Sequence, residues 1–400
     1  MSSGKVKQVE QSVLETFKAE IPSRYFSDKT EKEYEVYKAN AAYLYRDLLK
    51  FPPQMFNGRA LIDFGAGTGE NTVYLASWGA TCTLVEMNDS AQAISKDVFR
   101  KYTANFDEHR FFLSSIFDYQ SADRYDIVHC RGVLSHTADK EGAFSKIASF
   151  LKPGGYLIFG DPNKAGGFQN MLQRYVIYKF AKTWDKMVDV SELLFKDDID
   201  RSQKFVNRTR RAIIFDRWVV QSQNDPSVAE VLRWFDNNEL VLYSSTPGFL
   251  LPVMGDSMHH MPKFEPQSFK DIGVLSEAVW MMQNASDSEE VPKILRPLTA
   301  FAETQFRLAQ YVSNCNVESD IQTGALKQKI DDYVDAWKHL DLTEHLVTRM
   351  TALMAEAKAL LDRVESGNLD EVRTYIAGTT HLFRGAVGNR HMDYVCYKRS

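Results

Sequence analysis

The sequence predicts an α/β protein with a seven-stranded, mostly parallel sheet, N-terminal helices and a large helical insertion. Three observations carry this. Between residues 59 and 161, short apolar runs alternate with helical patterns. From about 265 to 385 the pattern is almost purely helical. The last eleven residues, "RHMDYVCYKRS", turn β-rich again. Strand–helix alternation with short links builds a parallel sheet, because each helix carries the chain back to the starting edge.

The first 50 residues read as helix. In "EKEYEVYKANAAYLYRDLLKF", Tyr34, Tyr37, Ala41, Leu44, Tyr45 and Leu48 recur at steps of three and four. "FPP" at 51–53 stops the run, since proline disrupts a helix interior. "RALIDFG" and "ATCTLVE" read as strands, with "ENTVYLASWG" between them as a helix closed by Gly79. "DSAQAISKDVFRKY" reads as a helix with Asp89 as its N-cap. "RFFLSS" and "YDIVHC" are the next strands. "DKEGAFSKIASFL" is a helix, "KPGG" a turn, and "YLIFGD" the fifth strand.

After Asp161 helices run from "GGFQNMLQRYVIYKFAKTW" through "KFVNRTRRAIIF". "PSVAEVLRWFDNNE" is a further helix, and "LVLYSS" the sixth strand. In "LVTRMTALMAEAKALLDRV", Leu346, Met350, Leu353, Ala357, Leu360 and Val364 share one face. "DYVCY" is the seventh strand. The expected domains are a helical lid at 1–55, a sheet domain at 56–250 plus 389–400, and a helical insertion at 251–388.

Of the 400 residues, 44% are hydrophobic and 25% charged, an ordinary globular balance with ample material for a core. A net charge of -5 argues against nucleic acid as a partner. Cys82, Cys130, Cys315 and Cys396 lie far apart, with no metal-ligand spacing. Neither a metal site nor a disulfide framework is expected. The N-terminus is polar and no stretch of 18 apolar residues occurs. A signal peptide and a membrane span are therefore not expected, and the cytoplasm is the expected location.

The chemistry concentrates in "LIDFGAGTGENTVYLASWGATCTLVEMN", residues 61–88. A strand-to-helix turn exposes backbone N–H groups, and glycines let a ligand approach them closely. The spacing is G-x-G-x-G, from Gly65 through Gly67 to Gly69. The dinucleotide fingerprint wants a glycine where Glu70 stands, and a P-loop wants a following Gly-Lys. Asp63 disfavours a pyrophosphate and suits an amine or sulfonium. Glu86, 21 residues after Gly65, ends the second strand. An acid there accepts hydrogen bonds from ribose hydroxyls. The ligand should carry a ribose and a cationic part.

"DFGAGTG" with a following strand-terminal acid resembles the S-adenosylmethionine-binding motif of class I methyltransferases. "YDIVHCRGVLSHT" and "IASFLKPGGYLIFGDPN" resemble that family's fourth-strand segment and its helix–turn–fifth-strand segment. The resemblance covers roughly 58–165, with 225–247 and 390–400 matching more loosely. It implies a Rossmann-like, doubly wound sheet. It also implies S-adenosyl-L-methionine as cofactor and S-adenosyl-L-homocysteine as product. By position, Asp63 would lie near the methionine amino group. Gly65 and Gly67 would pass under methionine and ribose, with Ala66 and Gly69 in the same turn. Glu86 would bind the ribose hydroxyls, with Met87 beside the adenine. The family often has an acid where this chain has Ser115, so Ser115 or the backbone of Ile116 takes the adenine amine. Cys130 and Arg131 end the fourth strand beside the reactive methyl, although Cys130 also reads as a small buried apolar residue.

Methyl transfer from a sulfonium needs alignment of the acceptor, exclusion of water and, for a hydroxyl acceptor, a base. His136, just past the fourth strand, is the candidate base, or else it hydrogen-bonds a neighbouring loop. Asp161 and Asn163 follow the fifth strand and are placed to touch substrate, since binding a divalent metal would need further ligands that the sequence does not place. Residues 201–217, "RSQKFVNRTRRAIIFDR", carry six basic side chains against Asp216. As one helix, Lys204, Arg208 and Arg211 share a face. Either Arg208, Arg211 and Arg217 grip a carboxylate or phosphate on the acceptor, or they pair with the preceding "KDDID". Tyr34, Tyr37 and Tyr45 either close over the ligands, Tyr37 being the candidate for substrate, or belong to the core.

The expected function is methyl transfer to an O or N atom of a small metabolite or natural product, anionic if the arginines grip it. Methylation of RNA or protein, and a non-catalytic scaffold, are the rivals. The insertion either completes the pocket or forms a homodimer.

Overall fold

The computed structural model describes residues 3–22, 30–205, 208–220, 223–248, 266–282, 299–316, 321–340, 342–385, 387 and 391–398. The chain divides into two compact units. One gathers Met1–Asp161, Glu230–Phe249 and Met392–Ser400, and the other gathers Pro162–Ala229 and Leu250–His391.

The first unit holds the sheet. Helices α1 (Ser3–Ala19) and α2 (Glu31–Tyr43) come first. They are followed by β1 (Ala60–Phe64), α3 (Val73–Ser77), β2 (Thr81–Glu86) and α4 (Asp89–Tyr102). Then come β3 (Arg110–Leu113), β4 (Tyr125–Arg131), α5 (Lys140–Ala148) and β5 (Leu151–Pro162). After an excursion through the other unit the chain returns with α9 (Val228–Asn237), β6 (Leu240–Thr246) and finally β7 (His391–Lys398). The seven strands lie in the order β3-β2-β1-β4-β5-β7-β6. Neighbours from β3 to β5 pair parallel, and β6 pairs antiparallel with β7. The doubly wound reading holds. Strand order reverses between β1 and β4, the switch point where open sheets of this kind take ligands.

Local sequence explains these elements. The side chains of β1 and β2 are mostly buried, as befits strands covered on both faces. Thr30 and Glu33 form a reciprocal capping box that starts α2. The cap of α4 is Asn88, one residue before the expected Asp89. Its Oδ1 accepts the N–H groups of Ser90 and Ala91. "KPGG" is no free turn: it lies inside β5, where the β4 register jumps from Tyr125↔Leu151 to Ile127↔Tyr156. Gly154 supplies a left-handed φ of 73° there.

Tyr34 and Tyr45 belong to the core, and Tyr37 packs against it. Tyr45 is fully buried, Tyr34 stacks on Tyr102 at 4.0 Å between centroids, and Tyr37 packs on Tyr74 at 5.9 Å. Tyr45 sits in a π-helical turn, Leu44–Leu48, that widens the end of α2.

The second unit is helical. It contains α6 (Phe168–Phe180), α7 (Trp184–Phe205), α8 (Arg210–Ile214), α10 (Pro266–Met282), α11 (Thr299–Ser313), α12 (Thr323–Trp337), α13 (Glu344–Ser366) and α14 (Leu369–Gly378). The α13 face anticipated from spacing is buried as a whole, and Gly367, at φ 71°, ends that helix. Two insertions build this unit, one between β5 and β6 and one between β6 and β7. Residues 162–229 group here because Phe168, Tyr175 and Trp218 share one apolar core with Leu326, Leu353 and Leu360. The basic segment is not one helix. α7 ends at Phe205, and α8 starts afresh with Thr209 accepting the Ala212 N–H at 3.0 Å. Among the described residues, no helix is long and apolar enough to cross a membrane.

Candidate functional site

The glycine turn leaves β1 at the switch point, and its three glycines all have left-handed φ, from 53° to 77°. Their surroundings differ. A Cβ on Gly65 would stand 2.5 Å from Val133, and one on Gly69 would stand 2.6 Å from the Ser95 hydroxyl. A Cβ on Gly67 would meet no atom within 4 Å. The outer glycines serve packing, and the middle one keeps a space open. The Gly65 and Ala66 N–H groups bond to the Val85 carbonyl at 2.9 and 3.2 Å, which ties the turn to β2. Thr68 is buried in the turn, and its hydroxyl has no partner among the described residues. A ligand can satisfy such a group.

Asp63 is 2% exposed. Its Oδ1 meets Nδ1 of His129 at 2.8 Å, and its Oδ2 accepts from the Thr72 hydroxyl. His129 in turn meets the Tyr45 hydroxyl through Nε2 at 2.9 Å. Neither His129 nor Thr72 stands out in the sequence. The available signal was a histidine in the buried stretch 127–130 of β4, and its meaning appears once the register pairs it with Asp63.

Glu86 ends β2. Its Oε2 accepts the Gly67 N–H and its Oε1 the Asn88 N–H, both at 2.8 Å. Burial pushes its pKa up, against the opposing pull of the Asn88, Gly67 and Met87 N–H groups. A carboxylate offers about four acceptor positions, so capacity remains for a vicinal diol. Met87 is half-buried beside it. Past β3, Ser115 bonds Asp118 at 3.1 Å, and Ile116 is buried.

At the end of β4, Cys130 is fully buried, and burial holds its thiol well above the usual range. A neutral buried thiol is a packing group and not a nucleophile. Arg131 and His136 are half-buried. His136 ends a short 3-10 turn, Leu134–His136, and Asp161 supports that turn by accepting the Ser135 N–H at 2.9 Å.

Helix α1 lies across the loops that follow β2, β3 and β4. Asn88 donates through Nδ2 to the Phe17 carbonyl at 3.1 Å. Lys18 pairs with Asp89 at 2.9 Å, and Lys7 pairs with Asp118. Phe17 meets the His136 ring edge-on, with centroids 5.3 Å apart. The structure thus gathers Asp63, Gly65, Ala66, Gly67, Gly69, Glu86, Met87, Ser115, Ile116, Cys130, Arg131, His136 and Asp161 in the sheet unit, along the strand ends and their loops. Tyr37 is among the aromatic residues packed on α3.

The remaining candidates are in the helical unit. Asn163 donates to Glu277 at 2.8 Å. Arg208 pairs with Asp216 at 2.9 Å, Arg211 with Asp185 at 3.3 Å, and Arg217 with Asp198 at 2.8 Å. Asp198 and Asp200 of "KDDID" also take Arg201 and Arg210. These carboxylates account for the arginines without any ligand.

Residues 37–193 match the model of a methyltransferase domain. A ubiquinone biosynthesis O-methyltransferase from Coxiella burnetii is 29% identical over 107 residues, covering 27% of this chain and 45% of that protein. One from Alkalilimnicola ehrlichii is 26% identical over 144 residues, covering 34% and 57%. The chain thus spans about half the length of these relatives. Among solved structures, magnesium protoporphyrin IX methyltransferase from Synechocystis PCC 6803 is 13% identical, with a TM-score of 0.33 over 60% of this chain and 87% of that one. The G-x-G-x-G turn and the acid closing β2 at the switch point both lie within the segment that matches a methyltransferase domain.

Proposed function

We propose that the chain binds S-adenosylmethionine at the glycine turn and transfers its methyl group to an O or N atom of a small acceptor. The observation that carries this is the open space at Gly67 beside a Glu86 carboxylate that is fixed by two backbone N–H groups and still able to accept. Bound there, the cofactor supplies a methyl group on a good leaving group. The chain's part is placement. Glu86 takes the ribose hydroxyls, Gly67 leaves room for the backbone to approach, and the Thr68 hydroxyl gains a partner. Met87, Ser115 and Ile116 flank the adenine. Asp63 lends negative charge near the ammonium group. Cys130 and Arg131 border the methyl, and His136 receives the proton when the acceptor is a hydroxyl.

Helix α1 is the lid in this reading, because it joins the loops after three strands and sets Phe17 against His136. Tyr34, Tyr37 and Tyr45 are packing residues in this reading and not part of the lid. The arginines expected to hold an anionic acceptor face carboxylates, so the acceptor is defined by its nucleophilic atom and not by its charge. The same pairing weakens the basic segment as support for an RNA substrate.

Calorimetric titration with S-adenosylmethionine and S-adenosylhomocysteine tests the proposal. Dissociation constants on the order of micromolar, lost in Glu86→Ala and Gly67→Trp, support it. A wild-type protein that binds neither compound overturns it.

A further inference from the structure

A buried chain of side chains connects the end of α2 to both ends of the glycine turn. Tyr45 and His129 are fully buried, and Asp63 is 2% exposed. Asp63 and His129 are register partners on adjacent parallel strands, so their side chains leave the sheet on the same face. The Tyr45 hydroxyl meets His129 Nε2 at 2.9 Å, and His129 Nδ1 meets Asp63 Oδ1 at 2.8 Å. The chain finishes at Thr72, whose hydroxyl donates to Asp63 Oδ2.

The position of the two outer partners gives this chain its meaning. Asp63 stands two residues before Gly65. Thr72 stands just before α3, and its N–H bonds back to the Gly69 carbonyl at 3.1 Å. The carboxylate therefore holds the entry and the exit of the turn together. A carboxylate can rotate about its last bond, and His129 removes that freedom by fixing Oδ1. Tyr45 does the same for the imidazole. Burial without solvent makes each of these bonds costly to break.

We propose that His129 is a positioning residue for the cofactor turn. It acts through Asp63 and is itself oriented by Tyr45, so the N-terminal segment helps set the geometry of the glycine turn. The inference rests on the proposed function for its ligand, but its hydrogen-bond order is a property of the protein alone. The order that satisfies both bonds puts the ring proton on Nδ1, with Nε2 accepting from Tyr45.

The test uses the full chain and the variants His129→Asn, His129→Leu and Tyr45→Phe. Asn and Leu are close in volume, but only Asn keeps a donor near the place of Nδ1. Affinity for S-adenosylhomocysteine is measured by calorimetry at a temperature where each variant is folded. We expect His129→Leu to weaken binding by about tenfold and His129→Asn to stay within about threefold of wild type. A merely structural role would lower the melting temperature of both and separate them in neither affinity. Nitrogen-15 NMR of the histidine rings supplies the ligand-free readout. His129 should show a protonated Nδ1 and an accepting Nε2, with the Nε2 signal moved in Tyr45→Phe. Where the Leu variant fails to fold, an affinity of His129→Asn outside about threefold of wild type, or a proton on Nε2, still overturns the inference. A proton on Nε2, or equal affinities for the Asn and Leu variants, overturns the inference. Absence of binding by the wild-type protein would instead count against the proposed function.

Discussion

Glu86 and Gly67 are joined by a 2.8 Å hydrogen bond from the glycine N–H to the carboxylate. The bond links the end of β2 to the middle of the turn after β1, so the residue proposed to take the ribose also shapes the turn. Burial raises the pKa of Glu86 above the 4.5 usual for glutamate. The sign follows. In the empty protein, ionising Glu86 costs stability as pH rises through the raised value, and that cost is absent below 4.5. In the proposed complex, ribose hydroxyls donate to the ionised form. Cofactor affinity should therefore fall as pH drops through the raised pKa. Glu86→Gln should bind about tenfold more weakly at pH 7 and lose that pH dependence. Titration calorimetry between pH 5 and 8 reads both effects.

The three glycines should separate by phenotype. Gly67→Ala adds a left-handed non-glycine residue at φ 53°, costing about 1 kcal/mol, with no clash. Gly69→Ala has the same backbone cost and also drives a methyl group into Ser95. Thermal unfolding without ligand should rank Gly69→Ala as the less stable. Ligand titration should rank Gly67→Trp as the worse binder, by at least about a hundredfold.

The α1 strap should control release. Lys7–Asp118 and Lys18–Asp89 are exposed ion pairs, and each lowers the pKa of its aspartate through the lysine hydrogen bond. Salt screens such pairs. Deleting residues 1–22 should speed dissociation of S-adenosylhomocysteine by about tenfold or more. Raising sodium chloride should speed it in the full chain and leave the truncated one unchanged. Stopped-flow displacement measures both rates.

In the helical unit, Glu356 accepts the N–H groups of Leu382, Thr380 and His381. Burial opposes its ionisation, but these donors outweigh burial and hold its pKa below 4.5. A lowered carboxylate stabilises the fold fully above the unfolded value and loses that contribution as pH falls through the folded one. Glu356→Gln should lower the melting temperature at pH 7 by about 2–4 °C. The gap between variant and wild type should close on acidification below pH 4.5.

Local pattern was enough to bring the proposed cofactor residues together. Asp63, the glycines and Glu86 lie within one strand–helix–strand unit, where spacing alone dictates geometry. His129 was not legible, because its role depends on which residue of β1 it faces. Phe17 was not legible either, since an amphipathic helix does not reveal which loops it will cross. Arg208, Arg211 and Arg217 form a basic cluster in sequence, yet Asp216, Asp185 and Asp198 take them up in space. Charge runs show composition and not pairing. The helices at 168–219 look like part of the sheet domain along the chain, and only the shared core around Trp218 and Leu360 assigns them elsewhere.

The place of β7 between β5 and β6 has a consequence for synthesis on the ribosome. β6 emerges first, but its route to the rest of the sheet is a strand not yet made. Everything between Thr246 and His391 must be translated before that strand appears, an interval on the order of ten seconds. Throughout it, β5 offers an unpaired edge and β6 lacks its antiparallel neighbour. The nascent chain is therefore most exposed to edge-to-edge association while its helical unit is being made. A chaperone that shields the β5 edge would have its work then and not after release.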